Sequence, residues 1–157
     1  MSPEKVAGDL DGGRVFSVVD LFSGAGGLSL GAARAGFTVV GAVDIDPHAV
    51  DIHNCNFPGA VHLKADVSDL TGETLKTALH SSNGNIAGII GGPPCQGFSS
   101  IGKRHKDDPR NQFFVEFFRV VAETAPVFFL AENVPGIMRE DHRETREVAM
   151  AHVEGKY

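Results

Sequence analysis

The chain has 157 residues, of which 42% are hydrophobic and 22% charged, and its net charge is −6. This length is enough for one core, and no apolar stretch approaches the length of a membrane-spanning helix. The acidic, glycine-rich N-terminus is unlike a secretory signal. The cysteines, Cys55 and Cys95, lie in dissimilar contexts and do not form a disulfide framework. We therefore expect a protein of the reducing cytoplasm, with no metal site.

The negative net charge bears on nucleic-acid binding. Proteins that bind nucleic acid by themselves are usually basic, because contacts with phosphates supply much of the affinity. Either the substrate is not nucleic acid, or the basic surface belongs to a part of the protein outside this chain. The sequence motifs described below favour the second alternative.

The first unit of the chain predicts a nucleotide site. Residues 1–13 have no periodicity and are predicted to be a flexible lead-in to one domain, residues 14–157. Val15–Val19 is an apolar run that predicts a strand buried on both faces. The glycine-rich segment Phe22–Gly27 then turns into a helix predicted over Leu28–Ala35. Its glycines let a ligand approach the helix N-terminus, although a turn with no ligand would have the same pattern.

The second unit contains the acidic residues expected near a nucleotide. Thr38–Val43 predicts a strand that ends at Asp44, which lies 20 residues after Gly24. At this interval, an acidic residue meets the ribose hydroxyls in Rossmann-like sites. Asp46 is predicted to cap a helix that Pro47 begins. We interpret Cys55, within that helix, as a packing residue.

The third unit is short. Val61–Lys64 predicts a strand, and Asp66 follows it. Asp66 is either a ligand-binding carboxylate or a helix cap. Asp69 is predicted to cap the next helix, over about Leu70–His80.

A cysteine follows the fourth predicted strand, Ile86–Ile90. The segment Gly91–Cys95 contains two glycines and then two prolines, which stiffen the backbone that enters Cys95. A thiol held on a rigid turn at a strand end favours a nucleophile. The alternative is a buried structural thiol.

The last third of the chain supplies a second reactive group. Residues 96–111 are predicted to be a long loop with the basic run Lys103–Lys106, which is either functional or simply solvated. A helix is predicted over Arg110–Thr124 and a fifth strand over Pro126–Ala131, followed by an amphipathic helix over residues 137–154. Glu132 directly follows the fifth strand, where partial desolvation would suit a general acid; the alternative is a helix cap.

Strands that alternate with helices predict an α/β fold, a Rossmann-like doubly wound and mostly parallel sheet. Four segments also resemble, in order, the cytosine-C5 methyltransferases that use S-adenosylmethionine. They are Asp20–Gly27, Lys64–Val67, Pro93–Gln96 and Ala131–Val134, which together span most of the chain.

The resemblance implies how the cofactor S-adenosylmethionine would be bound. The glycine turn would cradle its methionine part, and Phe22 would lie against the adenine. Asp44, where many members carry Glu, would hold the ribose, and Asp66 would accept from the adenine amino group. The implied cofactor-binding residues are Phe22, Ser23, Gly24, Gly26, Gly27, Leu28, Asp44, Ile45, Asp66, Val67, Pro93 and Phe113.

The resemblance also implies the chemistry. Cys95 would add to C6 of a cytosine flipped out of double-stranded DNA, and Glu132 would hold N3 and the exocyclic amine. Pro94, Gln96 and Asn133 would support these two residues. The long loop would close over the DNA through Ser99, Lys103, Arg104 and Lys106.

The family's Gln-x-Arg-x-Arg motif and target-recognition region have no counterpart in this sequence. We interpret the chain as the N-terminal portion of a methyltransferase catalytic domain: a truncation, an interrupted gene or one subunit of a split enzyme. A second polypeptide or a further C-terminal segment would then read the target. We expect the chain alone to bind S-adenosylmethionine weakly and not to methylate DNA.

Three alternatives stay open. They are a tRNA cytosine-C5 methyltransferase, a non-catalytic cofactor-binding partner subunit, and a nicotinamide-dependent dehydrogenase. The last would have no use for the segment Pro93–Cys95. A DNA enzyme of restriction-modification or epigenetic methylation is the leading hypothesis, located in the cytoplasm and, in a bacterium, on the nucleoid.

Overall fold

A computed structural model describes residues 16–79, 86–94 and 112–157. Their strands form a five-stranded, wholly parallel sheet. The strands are β1 (Ser17–Leu21), β2 (Thr38–Asp44), β3 (Val61–Lys64), β4 (Ile86–Gly91) and β5 (Phe128–Ala131). The α-helices are α1 (Gly27–Arg34), α2 (Pro47–Asn56), α3 (Gly72–Ala78), α4 (Gln112–Thr124) and α5 (Arg143–Ala151).

The strand order is β3-β2-β1-β4-β5, which confirms the predicted doubly wound α/β fold. Because successive side chains of a strand point to opposite faces, β1 contributes to two cores. Val18 packs on the face that carries α1, and Val19 and Leu21 pack on the face that carries α3, α4 and α5. None of the helices within the described residues is long and apolar enough to cross a bilayer.

Among the described elements, helix α4 contributes the most residues to the larger core. Its hydrophobic residues recur at helical spacing and cover a wide face, as predicted. The phenylalanines at its centre are buried, and Phe117 is entirely inaccessible. The buried hydrophobic side chains are Phe114, Val115, Phe117, Phe118, Val120 and Val121.

The predicted cap of α3 is wrong. The helix begins at Gly72, and its cap is Thr71, whose Oγ1 accepts from the backbone N of Thr74 at 3.0 Å. Asp69 does not cap it: the Asp69 N–H donates to the Asp66 carbonyl within a turn. The side chain of Leu70 is buried, so this turn leads the chain into the core before the helix begins.

The interpretation of Cys55 as a packing residue is also wrong, because its thiol is exposed. The buried residue of α2 is His53, which has no accessible surface. Two positions along a helix are separated by about 200°, so residues 53 and 55 point in nearly opposite directions. The predicted cap of this helix is confirmed: Asp46 Oδ1 accepts from the backbone N of His48 at 2.9 Å.

The single helix predicted over residues 137–154 is divided. Two 3₁₀ turns, Pro135–Met138 and Glu140–His142, precede α5. Proline starts the first turn. Arg146 of α5 reaches back to donate to the carbonyl of Ile137, within the first turn, and to that of Arg139, between the two turns. Side-chain satisfaction of the free carbonyls stabilises this break.

Arg119 of α4 is hydrogen-bonded to the segment that follows β3. Replacing Arg119 should destabilise the protein. Its Nη2 donates to the carbonyls of Val67 at 3.0 Å and Leu70 at 2.9 Å. We expect Arg119→Gln to lower the free energy of unfolding by about 2 kcal/mol, since hydrogen bonds from a charged group to partly buried carbonyls are lost. Urea denaturation followed by circular dichroism measures this.

Arg143→Gln is the matched control. Arg119 pairs with Glu116 and Glu123. Arg143 likewise pairs with two glutamates, Glu140 and Glu147, but its side chain is 62% exposed. Exposed ion pairs contribute about 0–1 kcal/mol, so this variant should stay close to the unmodified chain. Equal losses in the two variants would contradict a special role for Arg119.

Candidate cofactor and catalytic site

The carboxyl ends of four strands meet at one edge of the sheet. Leu21 pairs with Val43 on one side and with Gly91 on the other, and Gly91 pairs with Ala131. The residues that follow these positions therefore project from the same edge. Because the connections reverse direction between β1 and β4, this edge contains the crevice in which doubly wound sheets bind ligands.

The turn after β1 has a backbone that favours close approach. Phe22, Gly24 and Gly26 have φ values of 58°, 52° and 96°, all in the left-handed region. A left-handed phenylalanine is strained, and such strain is concentrated at binding sites. The Ser23 N–H donates to the Val43 carbonyl at 3.1 Å, which fixes the turn to β2. Gly26 has no side chain to cap α1. The Ser29 N–H of the first turn donates to Asp20, and the N–H groups that precede it at the helix start stay available to a ligand.

Asp44 is bound to this turn. Its Oδ2 accepts from the Gly24 N–H at 2.8 Å and its Oδ1 accepts from the Asp46 N–H at 2.9 Å. Each carboxylate oxygen can accept a second hydrogen bond, so the half-buried Asp44 retains the capacity to hold a diol. Ile45 beside it is 63% exposed and offers an apolar surface at the same edge.

Two predicted cofactor residues that are far apart in sequence come into contact. The rings of Phe22 and Phe113 meet edge to face, with centroids 5.9 Å apart. They form an apolar wall beside the glycine turn. Asp66 is half-buried, and its Oδ1 accepts from the Ser68 N–H at 2.8 Å.

Two other predicted cofactor residues have side chains directed elsewhere. Leu28 packs against the cluster of Val18 and Ile90. Val67 is 2% exposed, and its carbonyl accepts from Arg119. Either residue could therefore meet a cofactor at this edge through its backbone, while its side chain serves the core.

Glu132 and the proline segment are joined across neighbouring strands. The Glu132 N–H donates to the Gly91 carbonyl at 2.9 Å. Asn133 Nδ2 donates to the Pro93 carbonyl at 3.3 Å, and Asn133 Oδ1 accepts from the Val134 N–H at 2.9 Å. Asn133 thus connects the end of β4 to the end of β5. Cys95, Gln96, Ser99, Lys103, Arg104 and Lys106 lie outside the described residues.

The expected desolvation of Glu132 is wrong for the described residues, in which Glu132 is exposed. Its strand, β5, is at one end of the strand order, and the neighbouring Leu130 is 50% exposed. The carboxylate nevertheless lies over the end of β4. A Cβ built at Gly92 would be 3.4 Å from Glu132 Oε2.

A buried polar chain beneath the turn was not predicted. Asp20 is 1% exposed, and its Oδ2 accepts from the backbone N and the Oγ of Ser29. Ser29 Oγ also contacts His53, which in turn contacts His62. Burial raises the pKa of Asp20 to about 6, although the hydrogen bonds from Ser29 partly oppose this. Burial also lowers the pKa of His53, and His62 adds to that effect.

Two buried polar atoms in this region have no hydrogen-bond partner among the described residues. They are Asp20 Oδ1 and Ser23 Oγ. Buried polar atoms are nearly always hydrogen-bonded, so each one calls for an explanation. Ser23 Oγ belongs to the glycine turn, and a polar ligand in that turn would supply the partner.

The parallel sheet, the glycine turn and the acidic strand ends define a doubly wound α/β domain, a class of fold that binds its ligands at the switch point of the sheet. The chain belongs to the C-5 cytosine-specific DNA methylase family, whose model matches residues 16–155.

Relatives of known class agree with this assignment. The chain is 47% identical over 140 residues to the type II methyltransferase M.XorII of Xanthomonas oryzae, covering 88% of this chain and 33% of the relative. It is 46% identical over 131 residues to M1.HphI of Haemophilus parahaemolyticus, covering 82% and 35%. The chain therefore spans about a third of the length of these curated relatives.

Solved structures have the same fold. A prophage-encoded protein of Escherichia coli, described as a DNA modification methyltransferase, superimposes with a TM-score of 0.79 at 54% identity. That match covers 89% of this chain and 38% of the other. DNMT2 of Spodoptera frugiperda superimposes with a TM-score of 0.61 at 26% identity, covering 88% and 40%.

Proposed function

We propose that this chain binds S-adenosylmethionine at the glycine turn and contributes Cys95 and Glu132 to methylation of cytosine at C5 in DNA. The observation that carries this proposal is the strand register. It brings the glycine turn, Asp44 and Glu132 to one edge, next to the proline segment that leads to Cys95.

The site has groups that match the chemistry of this cofactor. The open N-terminus of α1 and Ser23 Oγ suit its carboxylate, and Asp44 suits its ribose diol. Phe22 and Phe113 suit one face of the adenine. When bound, the cofactor supplies the electrophilic methyl group.

The residues of the chain then divide the reaction into easier steps. The Cys95 thiolate forms a bond to C6 of cytosine, and this makes C5 nucleophilic. Glu132 stabilises the resulting charge by a hydrogen bond or proton at N3. After C5 takes the methyl group, it loses its proton, and the bond between Cys95 and C6 breaks to restore the thiolate. Asn133 keeps the two strand ends together throughout.

Recognition of the DNA target sequence is assigned to another part of the protein. The chain matches about a third of the length of its relatives, and its net charge of −6 does not favour phosphate binding. We infer that a further segment, on the same or a second polypeptide, reads the sequence of the double-stranded DNA. The chain alone then binds the cofactor weakly and does not methylate DNA.

Asp44→Ala should weaken binding of S-adenosylmethionine by about tenfold or more. It removes a charged acceptor of the ribose and releases the Gly24 N–H. Isothermal titration of the pure chain measures the affinity. Asp44→Glu, which keeps the carboxylate, should retain most of it.

Asp51→Ala is the matched control, because Asp51 is exposed on α2. It should bind as the unmodified chain does. Absence of saturable binding by the unmodified chain, or equal affinities for Asp44→Ala and Asp51→Ala, would refute the proposed cofactor site.

A further inference from the structure

We propose that Asp20, Ser29, His53 and His62 form a proton wire that runs from the protein surface to a carboxylate beneath the glycine turn. The state of this wire sets how strongly the turn attracts a cationic cofactor. The effect on cofactor affinity rests on the proposed function, whereas the existence of the wire does not.

The wire is continuous at hydrogen-bond distances. Ser29 Oγ is 2.7 Å from Asp20 Oδ2 and 3.0 Å from His53 Nε2. On the other side of the ring, His53 Nδ1 is 2.8 Å from His62 Nε2. Four elements, β1, α1, α2 and β3, contribute one residue each. His62 is half-buried and forms the outer end, while the three inner residues are buried.

The wire has two neutral-histidine states that differ by one proton. With Asp20 ionised, the Ser29 hydroxyl donates to Asp20, His53 Nε2–H donates to Ser29, and His62 Nε2–H donates to His53 Nδ1. With Asp20 protonated, every one of these bonds runs in the opposite direction.

The two states interconvert by a balanced transfer. A proton is taken up at His62 Nδ1, and His62 Nε2–H passes to His53 Nδ1. The proton on His53 Nε2 then moves to Ser29 Oγ, and the Ser29 hydroxyl proton moves to Asp20 Oδ2. The net result is one proton added at Asp20, while both histidines end neutral with exchanged tautomers.

The surroundings of the wire place this exchange near neutral pH. Burial, with a smaller contribution from the nearby Asp44 of β2, raises the pKa of Asp20 to about 6. Asp44 also favours the charged form of His53, whereas burial and His62 of β3 oppose it. Helix α1 contributes the amide and hydroxyl of Ser29. The carboxylate is thus ionised above about pH 6 and neutral below it.

The cofactor and its product differ in charge at the reacting centre. S-adenosylmethionine carries a positive sulfonium, and S-adenosylhomocysteine does not. An ionised Asp20 beneath the turn attracts the sulfonium form more strongly, because buried charges act in a low dielectric. Affinity for S-adenosylmethionine should therefore rise with pH through about 6, and affinity for S-adenosylhomocysteine should rise less.

The test titrates the pure chain with each compound between pH 5 and 8. We expect affinity for S-adenosylmethionine to fall by about three- to tenfold from pH 7.5 to pH 5, with a smaller change for S-adenosylhomocysteine. Asp20→Asn should remove most of this difference. His48→Gln, which changes an exposed histidine of α2, should leave the pH profile unchanged. Identical pH profiles for the unmodified chain and Asp20→Asn would overturn the effect on the cofactor.

Nuclear magnetic resonance of the chain without cofactor tests the wire separately. The ¹⁵N shifts of His53 should show a change from the Nε2–H to the Nδ1–H tautomer at the pH where the Asp20 carboxyl carbon titrates. A fixed His53 tautomer from pH 5 to 8 would overturn the wire. Failure of both compounds to bind at any pH would refute the proposed cofactor, and with it the tuning, whatever the tautomer result.

Discussion

Replacing Glu132 by Gln should lower the rate of methyl transfer into DNA by about 10²–10⁴-fold, the usual contribution of a general acid. Gln keeps the shape of the side chain and can donate a hydrogen bond, but it cannot deliver a proton to N3. The Glu132 carboxylate is exposed and follows β5, which is separated by β4 from the strand that leads into the glycine turn. Binding of S-adenosylmethionine should therefore stay within about twofold, well under the 1.4 kcal/mol of a tenfold change.

The measurement uses a chimera in which this chain replaces the matching third of M.XorII. Transfer of a tritiated methyl group into DNA gives the rate, and Cys95→Ala gives the background. Glu144→Gln, at an exposed position of α5, is the matched control and should retain full activity. A Glu132→Gln chimera as active as the Glu144→Gln chimera would remove Glu132 from the mechanism. Methylation of tRNA in place of DNA by the unmodified chimera would favour the tRNA enzyme.

The site could be anticipated from the sequence where it depends on strand ends. Strands β2, β4 and β5 are short, mainly apolar runs, and the first polar residue at the end of such a run leaves the core at the carboxyl edge. Asp44 and Glu132 follow this rule, and so does the proline segment that begins at Pro93. Parallel pairing then brings them together without any knowledge of side-chain contacts.

The features that the sequence did not predict depend on the rotation of helices about their axes and on the position of strands in the sheet. His53 is buried and Cys55 exposed because of the rotation of α2 about its axis, and the weak apolar pattern of that helix does not define its buried face. The contact between Asp20 and Ser29 joins a strand to a helix, and that between Ser29 and His53 joins two helices. The exposure of Glu132 follows from the place of β5 in the strand order, which no local pattern gives.

Gly91→Ala should destabilise the protein by about 3 kcal/mol, the upper part of the range for overpacking a core. A Cβ at this position would lie 2.5 Å from the Leu21 carbonyl oxygen and 2.9 Å from the ring of Phe117. The first neighbour is backbone of the central strand and cannot rotate away. The second is a fully buried ring, so β1 and β4 would have to separate. Urea denaturation gives the free energy of unfolding.

Gly31→Ala separates this steric effect from the general cost of glycine. Gly31 lies in α1, and a Cβ there meets nothing within 4 Å. Alanine favours a helix by up to about 1 kcal/mol over glycine, so this variant should be slightly more stable than the unmodified chain. Equal changes in the stability of the two variants would show that the contacts of the added methyl group with Leu21 and Phe117 do not decide the effect of Gly91→Ala.

The same variant tests whether the spacing of these strands matters to the site. Gly91 accepts from the Glu132 N–H and pairs with Leu21, which leads into the glycine turn. A shift of β4 away from β1 would move the turn relative to the proline segment and to Glu132. We therefore expect Gly91→Ala to weaken cofactor binding even under conditions where it remains folded. Unchanged affinity in folded Gly91→Ala would mean that the glycine turn and Asp44 bind the cofactor independently of the catalytic edge.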